Sequence, residues 1–76
     1  MERYRNLGGD SGVVAYEIGH GSITVEFAAG TYKFYLYDAI RPGALMVSEL
    51  QRLASAGQGL NSYIGRVVKG NYSRKW

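Results

Sequence analysis

Gly9-Asp10-Ser11-Gly12 sets a serine in the surroundings where a positioned histidine and aspartate would activate its hydroxyl and backbone amides would bind an oxyanion. That chemistry would be acyl transfer, and it lacks partners here. The one histidine, His20, lies between Gly19 and Gly21 in a run suited to a tight turn, and 76 residues are too few for the paired barrels on which that tetrapeptide works. The tetrapeptide therefore reads as a turn into a strand. As a general base or metal ligand His20 would need convergent, supported neighbours, and none cluster with it. Glu17 and Glu26 are expected on a solvated strand face, as ordinary carboxylates rather than an acid and base pair. Gly57-Gln58-Gly59-Leu60-Asn61-Ser62 could bring amides to an anion. A helix precedes it, whereas a dinucleotide or P-loop site follows a strand, so it reads as a helix stop and a turn capped by Asn61 or Ser62. No nucleophile, base and electrophilic site can be assembled. The expectation is a chain that is not an enzyme, with no cofactor, no metal and no small-molecule substrate.

The tyrosines carry a stronger signal. Tyr35 and Tyr37 share one face of a strand with Lys33, opposite Phe34 and Leu36. Left uncovered by a helix or another subunit, they form a platform on which bases stack while the cation meets phosphate. Covered, they are good strand formers packed beside a helix with their hydroxyls in water. The charge distribution bears on the same question. The net charge is +3, yet Arg41, Arg52, Arg66, Lys69, Arg74 and Lys75 all follow residue 40, where Glu49 is the lone carboxylate. Such a basic half suits an anionic partner, or else a solvated helix face and tail. The candidate nucleic-acid contacts are Lys33, Tyr35 and Tyr37 for bases or backbone, and Arg66, Lys69, Arg74 and Lys75 for phosphates.

The elements that must position these residues follow from periodicity. Apolar residues alternate with period two from Ser11 to Tyr37, the pattern of strands with one buried face. Val13 to Ile18 places Val14, Tyr16 and Ile18 together and ends at Gly19-His20-Gly21-Ser22. Ser22 to Ala28 places Ile23, Val25 and Phe27 opposite Thr24 and Glu26. Thr31 to Tyr37 follows the turn at Ala29-Gly30. The loop Asp38 to Gly43, holding the only proline, Pro42, ends strand pairing. Met46, Leu50, Leu53 and Ala54 then form one helical stripe that stops near Gly57; Leu60, Ile64, Val67 and Val68 form another that runs to Gly70. Strands followed by helices predict an α+β fold, a three-stranded antiparallel meander with two helices packed on one face, in the order β-β-β-α-α. Residues 11–72 make a single domain, 1–10 are a flexible lead-in or a short edge strand, with Gly8-Gly9 favouring flexibility, and 73–76 are a basic tail.

Composition sets the bounds. The chain is 46% hydrophobic and 20% charged, which suits a folded domain. At this size one core seldom supplies more than roughly 3–5 kcal/mol, so a homodimer or protein partner is a natural supplement. The absence of cysteine removes any disulfide framework, and no stretch approaches the ~20 apolar residues of a membrane span. A cytoplasmic protein with no membrane contact is expected.

Taken in order, Ser11-Gly12-Val13-Val14, Ile23-Thr24-Val25-Glu26-Phe27 with Gly30, Tyr35-Leu36-Tyr37, and Gly59-Leu60-Asn61-Ser62-Tyr63-Ile64 leading to Tyr72 resemble the KTSC domain. That short module is named for its place at the C-terminus of some lysyl-tRNA synthetases and occurs alone in bacterial and phage proteins. The likeness runs from about Ser11 to Tyr72, with Tyr-x-Tyr its most recognisable feature, whereas the loop Asp38 to Pro42 is longer than the usual turn into the helix. The resemblance implies a small non-catalytic module for which RNA binding is suggested. The alternative is a protein-interaction or accessory module that binds no nucleic acid.

Overall fold

The computed structural model describes residues 1–76 as an antiparallel sheet with one face covered by helices. In chain order the elements are β1 (Glu2–Arg3), β2 (Val13–Gly19), β3 (Ser22–Phe27), β4 (Phe34–Asp38), α1 (Ala44–Ala56), α2 (Leu60–Tyr63), which continues as a π-helical turn over Ile64–Val68, and β5 (Arg74–Lys75). Sheet order is β1-β2-β3-β4-β5, all neighbours antiparallel. The α+β class, the antiparallel sheet and the two helices match the expectation, but the sheet has five strands, not three. The additional strands come from the chain ends: Glu2–Arg3 pairs with β2 as an edge strand, and the tail expected at 73–76 supplies β5.

Register decides which side chains are buried. Tyr16 opposes Val25, Val25 opposes Tyr35, and Ile23 opposes Tyr37, so these residues line one face of the sheet. The helices cover that face with Val47, Leu50 and Ala54 of α1, and Leu60, Ile64 and Val68 of the second helical segment. The core is thus a contiguous cluster in which Ile23, Val25, Leu50 and Leu60 are completely buried. Several details depart from the sequence periodicity, among them Ile18 and Val67, which are 44% and 46% exposed. A bulge between Val13 and Ala15 makes Val14 the extra residue, so Val13 is 1% exposed and Val14 38%. On α1 the buried stripe runs through Val47, while Met46 and Leu53 only flank the core.

Helix α1 ends where Gly57 adopts φ 78°, a left-handed cap whose amide reaches the carbonyls of Leu53 and Ala54. A side chain there would meet the Cβ of Arg5 at 2.8 Å as well as an unfavourable φ. That approach exists because the N-terminal segment is strapped across the helices. The Leu7 amide donates to the Gly57 carbonyl at 2.8 Å, the Arg5 guanidinium to the Ser55 carbonyl at 2.6 Å, and the Leu60 amide to the buried Tyr4 hydroxyl at 3.2 Å. On the other side of α1 the Gln51 amide donates to the Ser22 carbonyl at 2.9 Å, tying the helix to the β2–β3 turn that holds exposed His20. The Asp38 carboxylate organises the loop before α1, accepting from the amides of Arg41 at 3.0 Å and Ile40 at 3.1 Å. Those bonds, the Arg41 amide foremost, hold its carboxyl below the usual aspartate range.

Candidate functional site

Strand β5 is where the unabsorbed chemistry collects. Phe34 and Trp76 exchange both backbone hydrogen bonds at 3.0 Å, which makes them directly opposed partners with side chains on the same face. That face is the one the helices leave open. The two rings stack, centroids 5.7 Å apart and planes inclined by 15°, and the Arg74 guanidinium lies 5.3 Å from the Trp76 ring centre. Trp76 remains 48% exposed. One residue earlier in the alternation, Lys75 opposes Tyr35 and points to the other side of the sheet. Its ammonium sits 4.5 Å from the Tyr32 ring centre and 5.3 Å from that of Tyr72. The neighbouring Tyr72 hydroxyl raises its pKa above the ordinary lysine value, so Lys75 is a firm cation.

Beneath Lys75 runs an open groove of about 580 Å³ between the β3–β4 connection and the end of the π turn. Its walls are aromatic. Phe27 meets Tyr35 edge to face at 5.4 Å, and Tyr35 meets Tyr72 in the same way at 5.1 Å, a herringbone that fixes the rings. Tyr37 contributes to the floor, with burial pushing its phenol up to about 12 and nearby Tyr35 and Tyr72 adding to the shift. Lys69 stands at the rim, and no acidic residue lines the groove.

The residues singled out from the sequence are therefore divided. Tyr37 is 1% exposed and cannot offer a ring face to a base, and Tyr35 is half-buried between Phe27 and Tyr72. The solvent-facing Tyr35–Tyr37 platform is thereby corrected: pairing with Val25 and Ile23 turns both tyrosines toward the helices, and Phe34 and Leu36 occupy the open face instead. Lys69 and Tyr35 line the groove, and Lys75 lies over its Tyr32 and Tyr72 rings. Arg74 lies across the sheet beside Trp76, and exposed Lys33 joins that end of the sheet through its amide, which donates to the Trp76 carbonyl at 3.0 Å. Arg66 is separate, exposed on the outer side of the second helical segment near Glu49 and Tyr63. Sequence reasoning missed Tyr32, Phe34, Tyr72 and Trp76 as site residues. The alternation of Arg74 and Trp76 about Lys75 was a signal that the tail is extended.

Comparison of the chain with protein-family models, with curated proteins and with solved structures found no match. The functional reading therefore rests on this geometry.

Proposed function

We propose that the chain is a non-catalytic cytoplasmic module that binds single-stranded nucleic acid, RNA foremost, along the β4–β5 edge. The observation that carries the reading is the interleaving of cations and rings on the last strand: Arg74 with Trp76 on one side, Lys75 with Tyr32 and Tyr72 on the other. Exposed rings stack bases without regard to sequence, and adjacent cations meet the backbone. Lys33 and Lys69 extend the positive rim, while Glu17 and Glu26 lie farther across the open face on β2 and β3, which confines a phosphate chain to the β4–β5 side.

Trp76 is the only tryptophan, so its fluorescence reports directly on the edge. Titration with single-stranded RNA should quench it saturably. With Lys33, Lys69, Arg74 and Lys75 engaged, log affinity should fall against log salt with a slope of about −3. An unchanged tryptophan signal at low salt would overturn the proposal. Protein docking is a second reading, favoured by Ile40 and Leu45, which are 84% and 90% exposed, one before α1 and one within it. It predicts a partner whose binding responds to Ile40→Ser with Leu45→Ser and hardly to salt.

A further inference from the structure

Resting on the nucleic-acid reading of the edge, we infer that the tyrosine groove is a seat for one unpaired nucleotide, its base against Tyr32 and Tyr72 and its phosphate between Lys69 and Lys75. The volume of about 580 Å³ lies within the roughly 300–1,000 Å³ of small-ligand pockets. Its chemistry selects among ligands. The lining is aromatic and carries Lys69 with no carboxylate, and Lys75 lies over two of its rings, which suits a flat occupant that bears negative charge. A base joined to a phosphate has that character.

The groove also has a prepared occupant and a prepared rim. The ring faces of Tyr32 and Tyr72 both turn toward the Lys75 ammonium, which holds the place between them. Lys75 is solvent-exposed on a two-residue strand, so its head can move outward with an arriving phosphate and leave the rings to the base. Lys69 adopts φ 55°, ψ −132°, a conformation natural to glycine and costly for lysine. Its amide closes the π turn onto the Ile64 carbonyl, and Gly70 follows. A strained lysine at the edge of a groove, at the end of a π turn, is the pattern of backbone strain held for a ligand.

The test is a titration of the full chain, followed by amide chemical shifts, with adenosine 5′-monophosphate, adenosine and inorganic phosphate in parallel. The monophosphate should move Gly30, Tyr32, Lys69, Gly70 and Tyr72, and adenosine should move the same amides more weakly. Tyr32→Ala, which alters an exposed ring, should weaken the monophosphate about tenfold, the loss of one stacked base. Lys69→Gly should weaken the monophosphate and leave adenosine unchanged. Shifts with phosphate but none with adenosine would overturn the base seat in favour of a plain anion site. Groove amides that stay still while RNA quenches Trp76 would overturn the inference and leave the edge proposal standing; failure of both signals would remove both.

Discussion

Tyr37 on β4 and Trp76 just after β5 lie one deep and one at the rim, and they show how the two faces of this sheet differ. On the covered face, aromatic rings are structural. Tyr37 is packed among residues such as Ile23 and Leu50, and its hydroxyl end merely reaches a groove. On the open face and along the β5 edge, Phe34 and Trp76 stack and stay partly wet, and Trp76, Tyr32 and Tyr72 each lie beside a cation. The difference comes from register rather than residue type. Both positions are aromatic, but Tyr37 stands opposite Ile23, whereas Trp76 stands opposite Phe34 on the side no helix covers. A ring is therefore read for function by what its cross-strand neighbour faces.

The comparison can be broken first at Tyr37. Tyr37→Ala removes a buried ring from the centre of a small core and should lower unfolding free energy by about 3–5 kcal/mol in a denaturant melt. A loss under about 1 kcal/mol, the range of exposed substitutions, would mean the ring is not a core element. Alkaline titration sharpens the same point. The phenol is held near 12 in the fold against an ordinary value of 10, so between those values the native state keeps a proton that the unfolded chain has released. Stability should consequently fall as pH rises from about 10 to about 12. Stability that stays level across that range would contradict this burial.

Much of the fold was legible because its signals are local. Gly57 and Gly59 separate the helical stripes, Pro42 lies in the loop that ends β4, and the alternation in Ile23 to Phe27 leaves one reading of that strand. What was illegible depends on partners distant in sequence. Strands β1 and β5 have two residues each and no period of their own; they exist because Ala15, Tyr16, Tyr35 and Leu36 offer them an edge. The Tyr4 hydroxyl finds the Leu60 amide 56 residues away. Nor does β4 announce its buried face, since Phe34 and Leu36 are as apolar as Tyr35 and Tyr37 are aromatic. Only pairing with β3 breaks the tie, and this hid the candidate site: the basic half pointed to the end of the molecule where β5 lies, while the rings there became visible only when the tail closed onto β4.

At the groove, the expected stability effect is smaller and opposite in sign. Lys69→Gly relieves a left-handed conformation and should raise unfolding free energy by about 1 kcal/mol, again read by a denaturant melt. A loss instead would show that the lysine side chain supports the fold. The least effect belongs to Arg66. Arg66→Gln should leave both nucleic-acid affinity and its salt slope unchanged, because this cation faces away from the β4–β5 edge. A reduced slope would extend the interface around the second helical segment.

The central claim is that the β4–β5 edge, not the tyrosine face beneath the helices, meets nucleic acid. The most direct measurement compares the wild-type chain with Arg74→Gln and Trp76→Ala by fluorescence anisotropy with labelled single-stranded RNA at low and physiological salt. Both variants should stay folded. Trp76→Ala should weaken binding by about 1–3 kcal/mol, and Arg74→Gln should flatten the salt slope by about one phosphate contact. Wild-type affinity and slope in both folded variants, or no binding by the wild-type chain at low salt, would contradict the account.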